Sequence, residues 1–138
     1  MKNLLYLLVP VMLLASCSKD TEEAAQSLQP TSIANVSYGA HSAQVMDVYL
    51  PGGRTTDCTK AIVMIHGGGW NTGDKADFNE YITVLKQRLP DYAIFNINYR
   101  LASGSDLFPA QENDVKAAVE FIAARAGQYI FNKDKMVL

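Results

Sequence analysis

From about Ser32 onward, apolar and polar residues follow one another in short blocks that predict an α/β protein. The run 61–65 is apolar without interruption, as expected for a strand covered on both faces. The first two strand-like runs are followed by the order strand, helix, strand, helix, strand. This order predicts a sheet that begins with antiparallel strands and then becomes parallel. The runs typical of strands are 33–38, 43–50, 61–65, 92–97 and 135–138.

Helical periodicity occupies the two longer intervals between the later strands. Apolar residues recur at helical spacing over 78–89, and a capping box of Asp77 with Glu80 is predicted to start this helix. A second helix is predicted to begin at Pro109 and to be broken at Gly127. The apolar stripes of both helices are assigned to the core and to no function.

The first 17 residues have a different pattern, typical of an export signal. Lys2 precedes an apolar run over 4–14, which is shorter than the roughly 20 residues needed to cross a bilayer. The end of this segment, Leu14-Ala15-Ser16-Cys17, resembles a bacterial lipobox, in which the cysteine thiol is lipidated. The alternative is an ordinary signal peptide that happens to contain a cysteine.

This pattern predicts three parts of the chain. Residues 1–17 are a lipoprotein signal peptide with the lipobox Cys17, residues 18–31 are a flexible polar tether, and residues 32–138 are the folded domain. The expected location is that of an exported bacterial lipoprotein, anchored to a bilayer through acylated Cys17 at the outer membrane or cell surface.

Composition and charge narrow the function classes. The 138 residues are 49% hydrophobic and 19% charged, which is typical of a globular protein rather than a disordered one. The formal net charge of −2 argues against a basic nucleic-acid-binding surface as the main function, and no nucleic-acid partner is expected.

The stretch with the clearest chemistry is His66-Gly67-Gly68-Gly69-Trp70, directly after the run 61–65. Glycines let the backbone approach a substrate and adopt positive φ, and free N–H groups in such a turn can donate to an anionic oxygen. The spacing fits neither a P-loop, because Asp74 stands at its lysine position, nor a dinucleotide fingerprint, because Thr72 stands at its third glycine. An oxyanion hole and an ordinary glycine-rich turn both remain open on these residues alone.

Five blocks in order resemble the N-terminal half of an α/β-hydrolase of the esterase/lipase group with an HGGG loop, particularly the Bacteroidetes feruloyl-esterase-like and acetyl-esterase branch. The resemblance covers essentially all of residues 36–138. Its blocks are Met46-Asp47-Val48-Tyr49-Leu50-Pro51; His66 to Trp70 with Gly73-Asp74-Lys75; Asn98-Tyr99-Arg100-Leu101; Phe108-Pro109-Ala110 with Asp114; and 132–138.

The resemblance implies roles for several residues. Gly68 and Gly69 would donate N–H groups to the oxyanion, as the loop after the third strand does in that family. Gly67 belongs to the same loop, and His66 is expected to brace it rather than to act as a catalytic base. Trp70 would either pack under the loop or border the acyl pocket. Arg100 and Asp114 are expected to form a loop-bracing ion pair, the alternative being two solvated charges.

The residues that complete this chemistry are not found in the sequence. A serine hydrolase needs a nucleophile, a base and an acid, and no G-x-S-x-G elbow occurs in the 138 residues. The nearest match, Ser103-Gly104-Ser105, lacks the flanking glycines. The resemblance places all three groups beyond Leu138, so we expect a chain truncated before the elbow, with no catalytic residue present and no activity alone.

The sequence therefore predicts a serine-type hydrolase of carboxylic esters, with carbohydrate acyl or feruloyl esters as plausible substrates by family analogy. No cofactor and no metal are expected. Two alternatives from other classes remain: a non-catalytic lipid-anchored binding protein and a non-functional gene fragment.

Overall fold

The computed structural model describes residues 28–138. The predicted signal peptide, the lipidation site Cys17 and the tether as far as Ser27 lie outside the described residues. Within 28–138, no helix is both long enough and apolar enough to cross a membrane.

Five strands form one mixed sheet in the order β1-β2-β4-β3-β5. The pairs β1–β2 and β2–β4 are antiparallel, whereas β3 is parallel to both β4 and β5. The predicted fold class, with antiparallel first strands followed by a parallel β-α-β sheet, is confirmed. We call the end where β3 and β4 finish the upper end, and the opposite end the lower end. The strands are β1 Thr31–Ser37, β2 Val45–Leu50, β3 Lys60–Ile65, β4 Tyr92–Ile97 and β5 Met136–Val137.

The first helical segment begins one turn earlier than the sequence pattern predicts. The capping box joins Asp74 to Asp77 instead of Asp77 to Glu80, and it opens a 3-10 turn, Lys75–Phe78, that leads into helix α1, Asn79–Arg88. Asp74 is the better cap because its extended backbone lets the carboxylate accept the Ala76 N–H at 2.8 Å.

The second helical segment also ends differently. Helix α2 spans Ala110–Ala124 and stops at Arg125, so Gly127 is not the breaker but lies within the short helix α3, Ala126–Tyr129. Strand β5 contains only two residues, because a 3-10 turn at Lys133–Lys135 precedes it.

The core lies between α2 and one face of the sheet. Alternate residues of β2 and β4, among them Val48 and Phe95, are fully buried and pack with Ala118 and Ile122 of α2. The residues between them on each strand point to the opposite face, since side chains alternate along a strand. That opposite face carries Asn96, whose amide bonds to the 3-10 turn before α1. The sheet is therefore covered from both sides below the loops of the upper end.

The first of the described residues lie at the lower end. β1 begins at Thr31, and two residues before it are already bonded to the loop after β2. The Gly53 N–H donates to the Leu28 carbonyl and Arg54 donates to the Gln29 carbonyl, each at 3.0 Å. The chain thus enters the domain beside the loop that follows β2.

Candidate active-site loop

The loop that leaves β3 at the upper end runs from His66 to Asp74. Gly68 has φ +112°, and a Cβ at this position would lie 2.1 Å from the Thr72 carbonyl oxygen, so only glycine fits. The Gly68 carbonyl accepts the N–H groups of Asn71 at 3.2 Å and Thr72 at 3.1 Å, which closes the turn. Gly69 has φ +58°, and no atom lies within 4 Å of the place its Cβ would take.

The backbone N–H groups of Gly68 and Gly69 are the candidate donors of this loop. Both glycines are exposed, and neither N–H donates a hydrogen bond to any group within residues 28–138. Successive N–H groups in a turn of this kind form a concave site for an anionic oxygen. The loop therefore has the donors that stabilisation of an oxyanion requires.

His66 and Tyr99 hold the start of the loop. His66 is 4% exposed, and its ring stacks on that of Tyr99 with centroids 4.3 Å apart. The Tyr99 hydroxyl donates to the His66 carbonyl at 2.8 Å. His66 Nδ1 lies 2.8 Å from the Gly67 carbonyl oxygen, which can only accept, so the proton is on Nδ1. The imidazole is thus engaged in holding the loop.

Trp70 lies at the crest of the loop, half-exposed and with φ +68°. Its indole meets Tyr99 edge-on at 5.3 Å, and its carbonyl accepts the Ala102 N–H at 2.7 Å. The loop is therefore tied in its middle to the segment that follows β4. With 41% of its surface exposed, Trp70 presents one part to Tyr99 and another to solvent.

Arg100 and Asp114 form a closely bonded ion pair rather than two solvated charges. Asp114 is 1% exposed, and its two oxygens accept four hydrogen bonds: from Arg100 Nε at 2.9 Å, Nη2 at 2.7 Å and backbone N at 3.0 Å, and from Gln44 Nε2 at 2.7 Å. Burial alone would raise the pKa of Asp114, but the hydrogen bonds from Arg100 and Gln44 outweigh it and lower that pKa. This node joins α2, the loop after β4 and the turn between β1 and β2.

A second ion pair holds the far end of the loop, and sequence analysis did not identify it. Lys75 Nζ lies 2.6 Å from Asp47 Oδ2, and both side chains are only 13% exposed. Asp47 Oδ1 also accepts the Asn35 N–H at 2.8 Å. Asp47 and Lys75 stand in two of the blocks that carry the family resemblance. Their place in those blocks was the only feature of the sequence that could have indicated the pair, because no local sequence rule predicts a contact between residues 28 positions apart.

Asn98 completes this anchor at the end of β4. Its Oδ1 accepts the Lys75 N–H at 2.6 Å, and its Nδ2 donates to Asp74 Oδ2 at 2.8 Å. Asn96 Nδ2 donates to the Lys75 carbonyl at 2.7 Å. The ends and the middle of the loop are therefore fixed by β2, β4 and the segment after β4, whereas Gly69 itself is left open.

A cleft of about 270 Å³ lies between this loop and the turn that joins β1 to β2. His41 is exposed at its rim, and its Nδ1 accepts the Ala43 N–H at 3.1 Å. His66, Asp74, Arg100 and Asp106 also line the cleft. Since β2 and β5 lie on opposite sides of β3 and β4, the cleft is on the side of the loop away from β5.

Residues 28–138 contain neither a cluster of metal ligands nor a nucleophile elbow. No group of three or more His, Cys, Asp or Glu side chains within 28–138 could hold a metal ion. Ser103 and Ser105 are exposed in the segment between β4 and α2, where the Ser103 carbonyl accepts the Asp106 N–H at 2.8 Å. This turn is not the strand-to-helix elbow on which a hydrolase serine stands.

Comparison with known proteins agrees with this architecture. Residues 46–138 match the model of the BD-FAE family. No curated protein matches significantly. Among solved structures, a bifunctional GH43-CE protein of Bacteroides eggerthii is 31% identical with a TM-score of 0.63, and the alignment covers 76% of this chain and 15% of that one.

Two further structures are similar. A truncated carbohydrate esterase from gut microbiota is 27% identical with a TM-score of 0.64, over 81% of this chain and 39% of the other. An α/β-hydrolase enzyme from a Medee basin deep-sea metagenome library is 17% identical with a TM-score of 0.62, over 79% and 45%. The chain thus spans less than half the length of each of these three proteins. The fold is that of the α/β-hydrolases, and because the family model covers two thirds of the chain, the chain belongs to the BD-FAE family.

Proposed function

We propose that this chain supplies the oxyanion loop of a serine-type carboxylic-ester hydrolase. The observation that carries the proposal is that Gly68 and Gly69 are exposed and that their N–H groups donate to no other group in the described residues. They follow the end of β3, and β5 pairs with the first residues of that same strand. The family resemblance implies that the strand begun by β5 leads to the nucleophile.

The reaction is acyl transfer in two steps. A serine hydroxyl oxygen attacks the ester carbonyl carbon while a histidine takes its proton, and the N–H groups of Gly68 and Gly69 donate to the oxygen that becomes negative. The alcohol leaves with that proton, and water then releases the acid by the same sequence. The proposal assigns the serine, the histidine and its acid to sequence that follows β5, and it requires no metal or cofactor.

The proposed substrates are carbohydrate acyl or feruloyl esters. Support comes from the names of two similar structures, one a carbohydrate esterase and the other a GH43-CE protein. We also propose that the chain is exported and anchored by lipid on Cys17 at the outer membrane or cell surface, which would place the loop near external polysaccharide. The lipobox pattern supports this anchor.

The test is to follow the reading frame past codon 138 and to assay its complete product. Hydrolysis of p-nitrophenyl acetate, methyl ferulate and acetylated xylan is measured after removal of residues 1–17. We expect an in-frame G-x-S-x-G elbow and turnover of at least one ester. Gly68→Ala should lower kcat roughly 10²-fold, since the side chain displaces a loop that supplies donors.

Gly127→Ala is the matched control, because this exposed glycine has no atom within 4 Å of the added methyl group and lies at the lower end. It should keep the activity of the unaltered protein. A frame that closes at codon 138, or a folded product that binds these esters without hydrolysing them, would contradict the hydrolase and favour the binding protein or the gene fragment.

A further inference from the structure

The charged residues of the described domain are divided between its two ends. The lower end comprises the loop after β2, the end of α1 and the segment from α2 to β5. Three acidic residues lie there, Asp57, Asp91 and Asp134, against seven basic residues, which gives a formal charge of +4. The basic residues are Arg54, Lys60, Lys86, Arg88, Arg125, Lys133 and Lys135.

The upper end, which carries the candidate loop, has the opposite charge. It has two basic residues, Lys75 and Arg100, against seven acidic ones, which gives a formal charge of −5. The remaining pair, Lys116 and Glu120, lies in the middle of α2 and cancels. The acidic residues are Asp47, Asp74, Asp77, Glu80, Asp106, Glu112 and Asp114.

Much of the positive charge at the lower end is uncompensated and accessible. Within residues 28–138, only Lys60 and Lys133 of the seven pair with carboxylates, at 3.2 and 3.9 Å. Lys135 instead donates to a backbone carbonyl, which leaves its charge in place. Lys86, Arg88, Lys133 and Lys135 are all exposed.

The N-terminal segment joins the domain at this same end. Leu28 and Gln29 are hydrogen-bonded to the loop after β2, close to Arg54. The chain therefore joins the domain at the basic end and not at the acidic one. An anionic surface attracts a basic cluster within a Debye length of about 8–10 Å and repels an acidic one.

We propose that the lower end is a docking surface for the phosphate-bearing headgroups of an anionic bilayer. Docked there, the domain holds its acidic upper end, with the loop His66 to Asp74, directed away from the membrane. The overall charge of −2 conceals this arrangement, because the two ends nearly cancel. The surface acts whether or not the upper end takes part in ester hydrolysis.

The test uses two lysines of one molecule. The full chain, purified as the cell processes it, is mixed with vesicles. These contain either phosphatidylcholine alone or phosphatidylcholine with one third phosphatidylglycerol. An amine-reactive reagent then labels the lysines, and mass spectrometry measures the labelling rate of each. Lys133 and Lys116 form a matched pair, since their side chains are 68% and 74% exposed. On anionic vesicles Lys133 should label about fivefold more slowly, Lys116 should be unchanged, and high salt should abolish the difference.

Two variants with the same change in net charge show whether binding depends on where the positive charges lie or only on the total charge. Arg88→Gln with Lys133→Gln removes two positive charges from the lower end, and Lys116→Glu makes the same change in the middle of α2. Protection of Lys86 on anionic vesicles should be lost in the first and kept in the second, with the circular dichroism of both unchanged. Equal labelling on both vesicles, equal loss in both variants, or equal protection of Lys133 by soluble polyphosphate would overturn the proposal.

Discussion

Replacing Asp114 by Asn is the most informative test of how the loops of the upper end are held. The substitution keeps the size of the side chain but replaces one carboxylate oxygen by an NH₂ group. Each oxygen of Asp114 accepts two hydrogen bonds. Oδ1 accepts one from Arg100 and one from Gln44, and Oδ2 accepts two from Arg100. Only the oxygen of the amide can accept, so two of the four hydrogen bonds are lost. The new NH₂ group then faces the N–H donors that had bonded to the replaced oxygen.

The expected loss of stability follows from these contacts. A hydrogen bond to a charged group contributes about 1.5–3 kcal/mol. Arg100 is 26% exposed and keeps Asp106 as a partner at 3.2 Å, which reduces the loss. We therefore expect the free energy of unfolding to fall by about 3 kcal/mol, or the Tm by about 12 °C for a domain of this size.

At acid pH the difference in Tm between Asp114→Asn and the unaltered protein should disappear. The pKa of Asp114 is lower in the folded state than in the unfolded chain, where it is near 3.9. The carboxylate therefore stabilises the fold fully at pH values above the unfolded pKa. This stabilisation is lost as the pH falls through the folded pKa. The gap in Tm should therefore be full at neutral pH and should narrow below about pH 4.

Thermal melts by circular dichroism at several pH values provide the measurement. Glu120→Gln is the control, because it makes the same chemical change on the same helix at an exposed residue, 3.9 Å from Lys116. Its effect should be at most about 0.5 kcal/mol. A neutral-pH loss below about 1 kcal/mol for Asp114→Asn, or a gap that does not narrow in acid, would refute this account of the node.

Three other outcomes are expected. Lys75→Met should destabilise the fold by about 3 kcal/mol because it strands the buried Asp47 carboxylate, and Asp47→Asn added to it should restore most of the loss; no restoration would contradict the pairing. The 138-residue chain should not hydrolyse p-nitrophenyl esters above a heat-treated control; turnover that disappears on Ser103→Ala or Ser105→Ala would reveal a nucleophile there. Cys17→Ser should accumulate an unlipidated precursor, whereas a wild-type N-terminus without acyl mass would contradict the lipobox prediction.

The sequence was sufficient where structure depends on local pattern. The unbroken apolar run 61–65 and the run 92–97, which is apolar except for Asn96, identified β3 and β4 because central parallel strands are buried on both faces. The position of the glycine loop directly after β3 followed from the same run. The helix starts were less accurate, since Asp74 and Asp77 both precede suitable N–H groups and only the backbone geometry selects Asp74.

Long-range polar contacts could not be read from the sequence in the same way. The pair Asp47–Lys75 and the double contact of Asn98 join segments more than 20 residues apart, and their partners are defined only once β2, β3 and β4 are ordered in the sheet. The pair Arg100–Asp114 was expected from family resemblance, but the contribution of Gln44 was not. The separation of charge between the two ends likewise depends on strand direction, which places Lys60 and Asp74 at opposite ends.

The central claim is that the N–H groups of Gly68 and Gly69 stabilise an oxyanion, and the most direct measurement removes each of them singly. In the product of the complete reading frame, glycolic acid is incorporated in place of one glycine, which exchanges the N–H for an oxygen and leaves the loop without added bulk. Gly104 is the control, since it also has positive φ, is exposed, and donates no hydrogen bond through its N–H within 28–138. We expect kcat for p-nitrophenyl acetate to fall roughly 10²-fold at Gly68 and at Gly69 with KM little changed, and to stay constant at Gly104. Unchanged kcat at both loop glycines in an active, folded protein would contradict the claim.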